Sequence, residues 1–582
     1  MKHLMPYLKK YRTQSILAPL FKMLEATFDL LVPLVVARII NAGIGSGDAA
    51  FIIRNCLLLA LMALTGLVCS FTAQYFAARA AIGTATGLRH QLMQHIQTLS
   101  FTELDSIGAS TLITRMTSDV AQVQNGVNMF LRLFLRSPFI VIGAMIMAFT
   151  IDWGAASIFV LAIPVLALIV FGVMRLTSPM YKHVQQRLDA VTAATRENLT
   201  GVRVVRAFQR EEAEAERFAA ANGALTDAQL KVGRIAALMN PLTYAVVNIA
   251  TIAILYVGAQ KVDGRLLLSG DVVALVNYMS QILVELVKLA NLIVLLTRAV
   301  ASLGRVGQVL DTPSSMTYPD APAPGNSPCA ASPRQAVCFD HVSLTYQGAG
   351  DESITDISFC ALQGQTIGVI GGTGSGKSTL VSLIPRFYDA TRGSVTLMGR
   401  PVSAWSHDEL RDRVAVVMQR AQLFKGTIRS NLLYGDANAT DEELWSALET
   451  AQAADFVRQK PGQLDDPVEQ GGRNLSGGQK QRLTIARALV SKPDILILDD
   501  SASALDYATD AALRKALRAL PDTTTTFIVS QRTSSIRHAD QILVLEDGEL
   551  AGIGTHDELL ASCDVYREIH ESQFQRKEVE QA

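Results

Sequence analysis

Six stretches of the chain, at roughly 16–40, 55–77, 129–151, 154–176, 236–258 and 272–297, stay apolar over the ~20 residues a helix needs to cross a bilayer. They predict an all-α domain of six membrane helices with long cytoplasmic extensions. The first and sixth carry charges, Lys22, Glu25 and Asp29 in one and Glu285 and Lys288 in the other, so a hydropathy scan is expected to score both poorly. Both are retained because an even number of crossings places the N-terminus and the following half on one side. At 582 residues the chain exceeds the ~250–300 residues of a single core, so at least two domains are expected. A composition that is 49% hydrophobic and 18% charged suits a chain part lipid-soluble and part water-soluble. A net charge of −1 gives no electrostatic reason to expect nucleic acid as a partner.

The connections orient the bundle. Those after the first and third stretches are short and nearly free of Lys and Arg, and the one after the fifth holds only Lys261 and Arg265. Those after the second and fourth are long and rich in Arg. By the positive-inside rule the long connections, the N-terminus and the second half are cytoplasmic, in a multi-pass protein of the cell membrane. The long connections read as helical throughout, and at about 1.5 Å per residue they would project tens of ångströms into the cytosol. Their turning points are expected near 106–115 and 200–208, where a second domain can be gripped. The basic start, MKHLMPYLKKYR, has no small-residue cleavage site and reads as a cytoplasmic flank. The six cysteines show no Cys-x-x-Cys pair and no matching histidines, which predicts reduced structural thiols and neither zinc nor a disulfide framework.

Residues 311–335, dense in Pro, Ser and Ala, read as a linker between a membrane domain over 1–310 and a second domain over 336–582. The latter alternates strand-like segments, VCFDHVSLTY, QTIGVIGG, VAVVMQ, DILILDD, TTTTFIVS and QILVLEDGEL, with helix-like ones. This predicts a soluble α/β domain with a mainly parallel sheet.

Between strand TIGVI and a helix lies GGTGSGKST, which is Gly371, Gly372, Thr373, Gly374, Ser375, Gly376, Lys377, Ser378 and Thr379. It satisfies G-x-x-x-x-G-K-[ST] in the strand–loop–helix context that gives the match meaning. The glycines let backbone N–H groups converge on phosphate oxygens, Lys377 places a point charge at the β/γ-phosphates, and the Ser378 hydroxyl reaches Mg²⁺. About 120 residues later ILILDD ends a buried strand in two carboxylates, and Asp499 is placed to hold the Mg²⁺ shell opposite Ser378. ATP and Mg²⁺ are thus the expected ligands.

Between these lies LSGGQ, containing Ser476, Gly477, Gly478 and Gln479, followed by a helix. P-loop NTPases in general lack this pentapeptide, and it resembles the signature of ABC transporters. Tyr346, 25 positions before the P-loop, resembles the aromatic that stacks on adenine, and Gln419 resembles the Q-loop glutamine that touches Mg²⁺. Ser503 to Asp506 resembles the D-loop, Glu469 to Arg473 the loop that contacts coupling helices, and residues 197–211 the second coupling segment of exporters. Six spans followed by one nucleotide-binding domain resemble a half-transporter. In that family each ATP lies between the P-loop of one subunit and the signature of another, so the resemblance implies a dimer.

Two positions depart from the family. After the Walker B aspartate most hydrolysing members carry Glu, and this chain has Asp500. Its carboxylate is one methylene shorter, and a misplacement of about 1 Å can cost on the order of 10²-fold in rate. Where a histidine usually contacts the γ-phosphate stands Gln531, which donates a hydrogen bond but carries no charge. Beside an intact signature, the pair predicts a degenerate site in this chain and, as partner, a second half-transporter that carries the competent one, with a heterodimer favoured over a homodimer.

In the sixth span Asn277, Gln281, Glu285, Lys288 and Asn291 fall within about a third of the helix circumference. They either wall a cavity for amphipathic or cationic substrates, or Glu285 and Lys288 neutralise each other inside the bundle; both readings stay open. The expected function is ATP-driven efflux of hydrophobic or amphipathic small molecules by a heterodimeric multidrug exporter, with membrane lipids as its surroundings. The alternatives are a regulatory or channel-like ATP-binding subunit and a lipid or peptide exporter.

Overall fold

The computed structural model describes residues 2–319, 335–521 and 523–581, without the side chains beyond 573. The chain divides into two compact units, Met1–Gln97 with Ser110–Thr312, and Thr98–Ala109 with Pro313–Ala582. Most of the expected linker, residues 320–334, lies outside the described residues.

The first unit is helical. Its long elements are Arg12–Arg38, Ala49–Thr98, Arg136–Ile151 preceded by Val120–Leu133, Trp153–Thr200, Met239–Asp263 preceded by Glu211–Ala237, and Ser269–Asp311. Five helical segments are long and apolar enough to cross a membrane. Arg12–Arg38 is not among them, as its charges foretell. The last helix is among them, contrary to expectation, because its many Leu, Ile and Val residues outweigh Glu285 and Lys288. Small side chains let these helices approach: Ala26, Ala144, Ala148, Ala155 and Ala156 are buried around Phe159 and Tyr278. Large apolar side chains such as Leu64, Phe71, Ile146, Leu161 and Leu168 point outward, as a lipid-facing surface requires.

The turning points are short helices, Phe101–Ile107 and Val202–Ala207. The first comes earlier than the spacing predicts. Ser100 and Glu103 form a capping box that starts a new helix at Phe101, and Gly108 ends it at φ 79°.

The second unit is built on strands β1 (Gln335–Leu344), β2 (Ile354–Leu362), β3 (Thr366–Gly371), β4 (Arg392–Leu397), β5 (Arg400–Pro401), β6 (Val414–Val417), β7 (Gly426–Thr427), β8 (Pro467–Val468), β9 (Ile495–Asp499), β10 (Thr525–Val529), β11 (Gln541–Glu546) and β12 (Glu549–Gly554). The main sheet runs β12-β11-β3-β10-β9-β6. It is parallel except for β12, which returns from β11 through Asp547 and Gly548. Strands β2-β1-β4-β5 make a separate antiparallel sheet.

One expectation about the cysteines is overturned. Cys338 on β1 and Cys360 on β2 are directly opposed in the antiparallel register, with Cα atoms 4.2 Å apart, and form a disulfide. A separation of 22 residues says nothing about opposition until the strand pairing is known. Cys56, Cys69 and Cys563 are free thiols.

Candidate functional site

The phosphate-gripping loop follows β3, so its position is set by the sheet core, where Ile367, Val369 and Ile370 are fully buried. Two of its glycines are sterically required. A Cβ on Gly371 would stand 2.1 Å from the Leu545 carbonyl oxygen. Gly376, at φ 89°, would place one 2.7 Å from Ile354 Cγ2. The helix Lys377–Ser382 starts there, aiming backbone N–H groups at the loop.

Lys377 is buried and folds onto the loop: its Nζ donates to the Gly371 carbonyl at 3.0 Å, to the Gly372 carbonyl, and to Ser375 Oγ at 3.3 Å. Burial holds its pKa below the ordinary lysine value, against the pull of Asp500 and Asp499. Ser378 Oγ donates to Asp499 Oδ1 at 3.0 Å, bringing together across 121 residues the two groups expected to share Mg²⁺. Burial pushes the Asp499 carboxyl upward, and the neighbouring Asp500 adds to the rise. A half-buried carboxylate beside a hydroxyl suits a hard divalent cation such as Mg²⁺. Among the described residues no group of three or more His, Cys, Asp or Glu lies close enough together to hold a metal ion.

Asp500 has a left-handed backbone, φ 43°, and accepts from Gln419 Nε2 at 3.3 Å. Its pKa is raised by burial, while Gln419, Arg532 and Lys377 work to lower it. Gln531 lines the same cleft, and its carbonyl accepts from Gln573 Nε2 at 2.7 Å. Arg532 was not foreseen; it follows the switch position, and no motif marks it. His538 is exposed and is not among the residues lining the cleft.

The cleft, about 670 Å³, is lined by Thr373, Gly374, Gly376, Lys377, Ser378, Thr379, Gln419, Asp499, Asp500 and Gln531, with Asp351, Glu352, Ser353, Asp547 and Gly548 completing the wall. Tyr346 is not in that wall. Its hydroxyl donates to Thr379 Oγ1 at 3.1 Å and its ring stands edge-on to Tyr388, with centroids 5.0 Å apart.

Ser476, Gly477, Gly478 and Gln479 are likewise absent from the cleft. They open the helix Gly477–Val490, where Ser476 caps the Gln479 N–H at 3.3 Å and Gln479 Oε1 accepts from the Ser476 N–H at 3.0 Å. Phosphate loop and signature therefore do not share one cleft within the chain.

In the helical unit a second cavity, about 490 Å³, is lined by Asn277, Gln281, Glu285 and Lys288 but not by Asn291. Glu285 is buried and takes three donors: Arg136 at 2.7 Å, Ser137 at 2.8 Å and Lys288 at 2.9 Å. Arg136 also donates to Asp29 at 2.9 Å. Arg136 was missed from sequence, although it and Arg132 are the two arginines inside the apolar stretch 129–151 and were a legible signal. Tyr278 is fully buried and donates to the Leu30 carbonyl at 2.6 Å, so it is part of the packing.

A family model for the ABC transporter transmembrane region matches residues 15–286, and one for the ABC transporter matches residues 354–503. An uncharacterized ABC transporter ATP-binding protein of Mycobacterium tuberculosis is 36% identical over 572 residues, covering 97% of both chains. A probable multidrug resistance ABC transporter ATP-binding/permease protein of Bacillus subtilis is 34% identical over 487 residues, 84% of this chain and 82% of the relative. In fold, the chain is similar to a bacterial Atm1-family ABC exporter solved with ATP bound, at a TM-score of 0.80 and 24% identity, over 97% of this chain and 99% of that one.

Proposed function

This chain belongs to the ABC transporter family as an exporter-type half-transporter, and on that premise we propose that it works beside a different half-transporter whose site carries out most of the hydrolysis. The observation that carries the reading is the pairing of Asp500 and Gln531 in one cleft, with an intact Ser476–Gln479 outside it. Gln419 engages the shorter Asp500 carboxylate, and burial raises its pKa. Gln531 offers an amide where a chargeable imidazole would serve developing negative charge.

ATP is gripped by the loop from Gly371 to Thr379 with Lys377 at its phosphates. Ser378, Asp499 and Gln419 would hold Mg²⁺, which would neutralise phosphate charge. Ser476 and the N–H groups of the helix it caps face a nucleotide on the partner. Closure of two such sandwiches drives the membrane helices outward-open, because only a difference in ATP affinity between open and closed states shifts that equilibrium. The short helices Phe101–Ile107 and Val202–Ala207 carry the closure. The nucleotide-binding domain is cytoplasmic, and the cargo is a hydrophobic or amphipathic molecule. The multidrug description of the Bacillus relative supports that class.

The test is ATPase measurement on the chain purified alone and again with its partner. Alone, turnover is expected to be at least about 10²-fold slower, the scale of a misplaced catalytic group. Equal rates in the two preparations refute the division of labour.

A further inference from the structure

The cavity in the helical unit has a charge arrangement that selects its ligand. Asp29, Arg136, Glu285 and Lys288 all line it, two acids and two bases, so the set is neutral. Its innermost acid is saturated: the Glu285 side chain is 4% exposed and takes three donors. Its ends are open. The Asp29 side chain is 44% exposed and engages Arg136 through Oδ2 alone, and the Lys288 side chain is 43% exposed and spends one of three N–H donors on Glu285, counting bonds among the described residues. Two further polar atoms on lining residues, Arg136 Nε and Gln281 Oε1, are buried without a hydrogen-bond partner among the described residues. Val32, Pro33, Val36, Ile140 and Val284 supply an apolar wall.

We propose that this cavity takes the head of a zwitterionic amphiphile, its cation at Asp29, its anion at Lys288 and its tail along the apolar wall. The inference rests on the exporter reading and narrows its substrate class. A singly charged ligand would leave a net charge in a low-dielectric bundle, where unpaired charge is costly. A zwitterion satisfies both open ends and keeps the sum at zero. This narrows the expectation of an amphipathic or cationic substrate, which did not include Arg136. A volume of about 490 Å³ lies in the range of small-molecule sites, roughly 300–1,000 Å³.

The test is equilibrium binding to the full chain in nanodiscs, without ATP, using octyl chains that end in a dimethylammonio-propanesulfonate, a trimethylammonium or a sulfate. The zwitterion is expected to bind about tenfold more tightly than either ion, the worth of one charge-assisted contact. Lys288→Gln should turn the preference toward the ammonium, and Asp29→Asn toward the sulfate. That reversal of order reads out independently of any loss of folded protein. Dihexanoyl phosphatidylcholine competing for the same site identifies a lipid head as the source, and failure to compete identifies a free amphiphile; either result agrees with the proposal. No measurable zwitterion binding, equal binding of all three probes, or an unchanged order in both variants overturns it. Because no ATP is present, such a failure leaves the exporter reading standing, whereas loss of ATP-driven transport with zwitterion binding intact would refute that reading alone.

Discussion

Asp499 shows how function and stability oppose each other at a single residue. Burial raises its carboxyl above the ordinary aspartate value, and Asp500 adds to the shift. A carboxyl with a higher pKa folded than unfolded binds extra protons in the folded state. Its ionised form therefore destabilises the fold fully above the raised value, and the cost fades as pH falls toward the ordinary one. Asp499→Asn, which keeps an acceptor for Ser378, is expected to raise the melting temperature at pH 7.5 by about 2–4 °C, the shift from about 1 kcal/mol in a domain of roughly 150–250 residues. The gain should shrink at pH 4.5, while Mg-ATP binding is lost; thermal melts with and without Mg-ATP check both. At the neighbouring position, the double substitution Asp500→Glu with Gln531→His is expected to raise the ATPase of the chain alone by about 10²-fold. No gain in a steady-state phosphate-release assay would mean that neither residue limits hydrolysis.

Among the elements, the short helix Phe101–Ile107 shows where sequence reading succeeds and fails. A turning point in the long Arg-rich connection was legible, but a helix starting at Phe101 was not, because the carboxylate of its capping box also binds Ser315, far away in sequence. Glu103 accepts from the Ser100 N–H at 3.0 Å and the Ser315 N–H at 3.2 Å, and Ser315 is 212 residues away. Likewise β2 and β4 escaped notice while β3, β9 and β10 did not. The parallel strands are continuous apolar runs, whereas β2 alternates buried and exposed residues and carries Asp356 and Cys360. Burial works to raise the Glu103 pKa, but its bonds from Ser100 and Ser315 prevail and hold the carboxyl below the usual range. Its contribution is therefore present above the ordinary glutamate value and lost as pH falls through the depressed one. Glu103→Ala should cost about 1 kcal/mol of local stability, the scale of a lost cap. Hydrogen exchange over 101–107 is then expected to quicken about fivefold, with no change over 371–379.

For the whole molecule, the separation of the Lys377 cleft from the Ser476 helix was legible from motif order only as a family implication; within the described chain it is a geometric fact. On the proposed reading ATP held by this chain completes its contacts on a partner, so substitutions in the two motifs are expected to report on different sites. In the assembled transporter, Ser476→Arg is expected to abolish hydrolysis at the partner's site, lowering turnover by about 10²–10³-fold, as does removal of an oxyanion-stabilising donor. Photolabelling of this chain's own P-loop by an azido-ATP should persist. Lys377→Ala should do the reverse, removing the label from this chain while turnover falls only several-fold, through weaker closure. If both substitutions silence hydrolysis equally, the two sites fire as one unit and Asp500 does not mark the lesser of them. If the serine variant leaves turnover intact, the signature of this chain faces no hydrolysing nucleotide, and the competent site must be its own.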